Sequence, residues 1–337
     1  MDMDCVVAKF VVLPKSDPGG NEGSRQKKQA MRKRISAQYY AWSYGRCRAR
    51  PTLSRRTFGL APQFLRAVLL VGFFTLPACG IENRMIFHPS ASIDHTPSEV
   101  GLEFEDIFFI ARDGVRLNGW FVPHREARST LVWFHGNAGN IGHRVENIKW
   151  LHDRVPMNIF IFDYRGYGRS QGLPSEEGTY LDGAAALELM RKKLGADGAK
   201  KIILFGRSLG AAIATEMATR FERQGLILES PFVSIAAMAR VLFPVLPIGP
   251  LLQTRYDVRA TIKKIKVPLL VLHGDRDEII PFEQGKLVFE AAPEPKRFFA
   301  IAGANHNDTV TVGGESYFDQ LKQFTDWSAS EGKRPLR

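Results

Sequence analysis

Residues 201–215, KIILFGRSLGAAIAT, limit what this chain can fold into more than any other stretch. Four consecutive apolar residues, Ile202, Ile203, Leu204 and Phe205, stand between a lysine pair and Gly206. A run apolar at every position is what a strand buried on both faces requires. The Ala-rich amphipathic segment that follows suits a helix. Between them lies Gly206-Arg207-Ser208-Leu209-Gly210, a G-x-S-x-G pattern in the strand-turn-helix setting it needs. A serine hydroxyl is a weak nucleophile at neutral pH, so it has to project beside a base and beside unpaired backbone N–H groups. A tight turn from strand to helix provides this. The helix N-terminus leaves N–H groups without intrahelical acceptors, and Gly206 and Gly210 remove side chains where backbones crowd. A plain βα turn with an idle serine has the same local pattern, and the remainder of the chain decides between the two.

The body of the chain alternates strand and helix patterns. Residues 102–122 read as an antiparallel hairpin turning at Arg112-Asp113-Gly114. Residues 130–134, TLVWF, form a buried strand leading into His135-Gly136-Asn137-Ala138-Gly139-Asn140. Two glycines just past a strand end let the backbone fold sharply where an oxyanion hole needs a donor, the second coming from the residue after the nucleophile. The candidates are the backbone N–H groups of Asn137 and Leu209, while Asn140 is also placed to cap the helical pattern over 141–151. Further strands are expected at 158–162, 226–228, 268–272 and 296–301, and further helices at 176–194 and 317–327. Asp163-Tyr164-Arg165-Gly166 reads as a structural turn beneath the site. The alternation predicts an α/β fold with a mostly parallel central sheet and helices on both faces. Residues 232–260 interrupt it with apolar residues punctuated by Pro244, Pro247 and Pro250, the pattern of a short lid.

After the strand at 268–272 come Asp275 and Asp277, at the carboxyl end of a parallel strand where chemistry is usually placed. Of eight histidines only His306 follows them, on a loop after the last strand. Ser208, an aspartate at 275 or 277, then His306 is a chain order of nucleophile, acid and base that one fold uses. Taken bottom-up, either aspartate is within reach.

Together these segments resemble the α/β hydrolase superfamily, and within it the small single-domain serine hydrolases that include the depalmitoylating thioesterases. The resemblance covers residues 82–328 and rests on HGNAGN at 135–140, DYRGYGRS at 163–170, GRSLG at 206–210, ESPF at 229–232, HGDRDEIIP at 273–281 and GANHND at 303–308. It implies that Asp277 is the triad acid, beside Ser208 and His306. It further implies an acyl ester or thioester hydrolase that works through an acyl-enzyme and needs no cofactor or metal. A peptidase of the prolyl-aminopeptidase type shares the fold, but the lid has no acidic residue between Phe232 and Tyr256 to hold a free amine. A non-catalytic binding module on the same fold is the other alternative, and it gives no reason for Ser, Asp and His to occur together.

Charge divides the chain. Residues 1–80 hold 14 Lys and Arg against 4 Asp and Glu, a net of +10, and the other 257 residues hold 32 against 31. The basic front comes without a recognition motif or an aromatic platform, so no nucleic-acid partner is expected. Ser54-Arg55-Arg56-Thr57-Phe58 is a twin-arginine pattern, and residues 67–78 are an apolar run too short to span a bilayer but right for a signal h-region. The run ends Leu76-Pro77-Ala78-Cys79, which resembles a bacterial lipobox. Residues 53–79 are accordingly expected to be a signal peptide with Cys79 lipidated, placing the protein on the periplasmic side of a bacterial membrane. Residues 1–52 suit disorder, with a true start downstream at Met31 or at position 53. All three cysteines lie in this front part, so the body has neither a disulfide framework nor a thiolate nucleophile.

Overall fold

Phe160, Ile161 and Phe162 are all fully buried, although neighbours on a strand point to opposite faces of a sheet. Such a strand needs a core on each side. The computed structural model describes residues 78–246 and 248–331, and supplies both cores. One contains Val132, Phe134, Phe160, Phe162, Ile202 and Leu204. The other contains the alternate residues Leu131, Trp133, Ile159, Ile161, Ile203 and Phe205. The extension over 1–52 and the signal segment over 53–77 lie outside the described residues, as does the side chain of Cys79.

The main sheet has eight strands: β2 (Glu105–Ile110), β3 (Arg116–Val122), β4 (Ser129–Phe134), β6 (Met157–Asp163), β7 (Ile202–Arg207), β8 (Gly225–Glu229), β9 (Leu269–Gly274) and β10 (Lys296–Ile301). Their order across the sheet is β10-β9-β8-β7-β4-β6-β3-β2. β3 pairs antiparallel with β2 and with β6, and all other neighbours are parallel. The hairpin and the parallel sheet expected from the sequence are both present. On one face lie α2 (Val145–Arg154) and α8 (Thr309–Glu331), contributing Ile148, Leu151, Phe318, Leu321 and Phe324 to the core. On the other lie α3 (Glu176–Ala199), α4 (Leu209–Arg220) and α7 (Phe282–Ala291), contributing Ala186, Met190, Ile213, Met217 and Val288. Each fully buried aliphatic or aromatic side chain of this kind contributes roughly 1.5–3 kcal/mol of transfer free energy.

Register brings the parallel strands level at their carboxyl ends. Phe134 pairs with Gly206, Arg207 with Glu229, and Ile301 with Gly274. The loops that leave those ends are the ones that carry Asn137, Ser208, Asp277 and His306. The lid segment leaves the same edge after β8 and contains α5 (Ile235–Leu242), a 3₁₀ turn at Gly249–Leu251 and the short α6 (Val258–Thr261).

Three differences from the sequence expectations are physical in origin. The helix expected at 176–194 runs on to Ala199 across Gly195, which takes φ 72°. The last helix begins at Thr309, ahead of the expected 317, because Gly314 at φ 52° kinks it without ending it. The helix α1 (Ala78–Ile86) and the two-residue pairing of β1 (His88–Pro89) with β5 (Ala138–Gly139) have no periodic signal in so few residues.

Candidate active site

Ser208 sits at φ 54°, ψ −118°, a left-handed backbone that a residue with a Cβ enters at a cost of about 1–3 kcal/mol. Its neighbours hold it there. The Ser208 N–H donates to the Glu229 carbonyl at 2.9 Å, and the Ser208 carbonyl accepts from Ala211 N–H at 2.9 Å. The two glycines of the motif are required by close approach. A Cβ on Gly206 would lie 2.5 Å from the Gly210 carbonyl oxygen, and one on Gly210 would lie 2.0 Å from that of Phe134. The elbow therefore presses α4 onto β7 and β4 and turns Ser208 away from the sheet. Gly136 faces it, since a Cβ there would lie 3.5 Å from the Ser208 Cβ.

His306 and Asp277 meet directly, with Nδ1 to Oδ2 at 2.7 Å. The other carboxylate oxygen of Asp277 accepts from the Ile279 and Ile280 N–H groups at 2.9 and 2.8 Å. Buried His273 stands 3.3 Å from Asp277 Oδ2. Burial by itself would raise the Asp277 pKa, but the hydrogen bonds from His273 and His306 and from Ile280 outweigh it and hold the carboxyl well below the ordinary range. A carboxylate at Nδ1 selects the tautomer that leaves Nε2 free to accept a proton. Burial lowers the His306 pKa, the Arg207 charge lowers it further, and Asp277 opposes both. Asp275 is occupied elsewhere, accepting from Gly303 N–H at 2.7 Å. Of the two aspartates the sequence offered, the one against His306 is Asp277.

Sequence reasoning missed what lies under the histidine loop. Arg207, one residue before Ser208, donates from Nε to Glu229 Oε1 at 2.9 Å and from Nη2 to the His306 carbonyl at 2.5 Å. Glu229 also accepts from the Thr309 hydroxyl at 2.6 Å and the Tyr317 hydroxyl at 2.7 Å. Both charges are buried. The signal was a charged residue closing each of two buried strands, and the register pairs them as Arg207 opposite Glu229. Asn305 was missed as well. Its side-chain oxygen accepts from Glu278 N–H at 3.0 Å and His306 N–H at 2.7 Å, joining the acid loop to the histidine loop.

The Asn137 side chain is held by three hydrogen bonds outside the main sheet. Its oxygen accepts from Tyr167 OH at 2.9 Å and His88 N–H at 3.2 Å, and its amide donates to the Ile86 carbonyl. Three contacts on the side chain fix the backbone of a residue expected to act through its N–H. Leu209 opens α4, where first-turn N–H groups have no intrahelical acceptor. Asn140 caps the following 3₁₀ turn, accepting from Gly142 N–H at 2.9 Å. Beneath this loop His135 and Asp163 lie fully buried, with Nε2 and Oδ1 3.5 Å apart. Burial and the nearby Arg144 charge push His135 down to about 3. Burial pushes Asp163 up to about 8 against the opposing Ile141 N–H. Among the described residues no group of three His, Cys, Asp or Glu is arranged to hold a metal ion.

The family described as serine aminopeptidase, S33 matches residues 125–255, which take in Asn137, Ser208 and Leu209. The alpha/beta hydrolase domain-containing protein WAV2 of Arabidopsis thaliana is 34% identical over 299 residues, covering 80% of this chain and 97% of the relative. The chain belongs to the α/β hydrolase superfamily. Other relatives of this α/β hydrolase are the uncharacterized protein YfhR of Escherichia coli K12, 35% identical over 78% of this chain and 94% of its own, and protein bem46 of Schizosaccharomyces pombe, 36% identical over 68% and 79%. In fold the hydrolase is similar to the esterase Pf2001 of Pyrococcus furiosus, with TM-score 0.61 and 21% identity over 72% of this chain and 97% of that one.

Proposed function

We propose that this α/β hydrolase cleaves acyl esters or thioesters through Ser208, His306 and Asp277 and an acyl-enzyme intermediate. The observation that carries the reading is the 2.7 Å contact of His306 Nδ1 with Asp277 in a structure that also strains Ser208 into the elbow. In the first half-reaction His306 Nε2 takes the Ser208 proton as Oγ attacks the acyl carbon, and the N–H groups of Asn137 and Leu209 receive the oxyanion. His306 then gives that proton to the departing alcohol or thiol. In the second half a water loses a proton to His306 and attacks the acyl carbon, and His306 returns that proton to Ser208 Oγ as the ester bond breaks and the acid leaves. Asp277 stabilises the imidazolium in both halves without taking its proton. The resemblance to depalmitoylating thioesterases makes long acyl groups the favoured substrates.

The match to the serine aminopeptidase family supports a peptidase as a second reading. Against it, residues 233–255 contain no Asp or Glu to hold a substrate amine. Comparing aminoacyl nitroanilides with nitrophenyl and acyl-thioester substrates separates the two, and the ester reading fails if only the aminoacyl substrates turn over. We further propose that Cys79 is lipidated after signal cleavage and tethers the enzyme to the periplasmic side of a bacterial membrane. Recovery of Cys79→Ala in the membrane fraction in unchanged amount would refute lipidation as the anchor.

A further inference from the structure

α5 turns only part of its apolar surface inward. Ala239 is buried, and Ile235 and Met238 pack against the core. The other side of the helix and the turns beyond it expose Val241 (43%), Leu242 (42%), Val245 (86%), Leu246 (54%) and Leu251 (79%). A continuous stretch of chain holding that many exposed apolar side chains marks a surface meant to be covered.

Two further observations say by what. Residues 232–260 contain Arg240, Arg255 and Arg259 against the single acid Asp257, and all three basic residues are exposed. An apolar face flanked by basic residues fits the interface of an anionic bilayer. The chain also enters the fold beside this face. The proposed tether residue Cys79 lies in the first turn of α1, and the Glu82 carboxylate of α1 accepts from Gln253 N–H at 3.0 Å and Thr254 N–H at 2.7 Å, at the end of the lid. Phe87, next after α1, packs edge-on against Tyr256 with ring centroids 6.4 Å apart. The tether proposed at Cys79 therefore enters the fold on the lid's side of the domain.

We infer that the exposed apolar face of the lid docks onto an anionic lipid bilayer. The inference rests on the membrane tether proposed above and adds a second contact. It sets the carboxyl edge of the sheet, with Ser208, toward the lipid. An enzyme so oriented takes acyl groups from the bilayer rather than from bulk water.

The test compares two single tryptophan substitutions in the full chain, Val245→Trp on the lid and Asp197→Trp. Asp197 is 96% exposed and precedes β7 at the end opposite Ser208. Each variant is bound to vesicles of phosphatidylglycerol and phosphatidylcholine with brominated acyl chains, and quenching is read against the unsubstituted protein. An apolar face that enters ~5–10 Å into the boundary of headgroups and chains gives at least roughly two-fold more quenching at position 245 than at 197. Equal quenching of vesicle-bound protein overturns docking and leaves the tether standing. Failure to bind the vesicles at all overturns both. Emission at 245 that is blue-shifted before vesicles are added also overturns docking. If that shift depends on protein concentration a second copy covers the face, and if it does not another part of the same chain does.

Discussion

The guanidinium of Arg207 holds the main-chain carbonyl of His306 at 2.5 Å, so the residue preceding the candidate nucleophile fixes the position of the candidate base. The link is rigid because Arg207 is itself locked by Glu229, which Thr309 and Tyr317 hold in turn. It acts through the backbone, leaving the imidazole free to meet Asp277.

Arg207→Met should lower kcat/KM by ~10², the scale of a misplacement of about 1 Å, mostly in kcat. It also leaves Glu229 buried and unpaired, costing ~3–5 kcal/mol of stability. The double variant Arg207→Met, Glu229→Gln should recover most of that stability in thermal unfolding and none of the activity. Recovery of activity along with stability would show that Arg207 only supports the fold.

Asp277→Asn should leave the fold intact and reduce kcat by roughly 10⁴, because the amide no longer selects the tautomer with Nε2 free. Asp275→Asn keeps an acceptor for Gly303 N–H and should stay near the wild-type rate. Steady-state kinetics on one ester decides, and the reverse ranking would reassign the acid.

The Asp163 carboxyl is raised to about 8 in the fold from an ordinary 3.8, so the stability it gives is fully present below pH 3.8 and is lost as pH rises through 8. His135, lowered to about 3 from 6.5, has the opposite slope, which ends by pH 6.5. Between pH 6.5 and 8 the carboxyl should therefore cost up to ~1.4 kcal/mol of stability per pH unit. Asp163→Asn, whose amide oxygen can still accept from Ile141 N–H, should remove this decline in urea unfolding measured across that interval. An identical decline in the variant would mean that another group titrates.

If part of the lid lines an acyl site, kcat/KM on nitrophenyl esters should rise from acetate toward dodecanoate. Each methylene transferred from water is worth up to ~0.8 kcal/mol, about fourfold per carbon. A profile flat or falling from acetate onward would make the inward face of α5 core packing alone.

The strands were legible because burial on both faces leaves unbroken apolar runs such as Ile202-Ile203-Leu204-Phe205, and the elbow was legible because only glycine fits at 206 and 210. The choice between Asp275 and Asp277 was not fixed by the residues alone. Both follow β9, and what separates them is the loop folding that ties Asp275 to Gly303 and Asp277 to Ile279 and Ile280. The ion pair of Arg207 with Glu229 depends on the register of two strands 22 residues apart in sequence, which no local pattern encodes. α1 was invisible for a similar reason, since its place is set by Glu82 reaching backbone groups 171 and 172 residues away.

The most direct test of the account is Ser208→Ala, assayed by turnover of an acyl ester and by labelling with a fluorophosphonate. Loss of a triad serine costs on the order of 10⁶ in kcat, so the variant should be unlabelled and reduced to background turnover while unfolding like the wild type. Labelling and turnover that survive the substitution would show that the hydrolysis, if any, belongs to another residue.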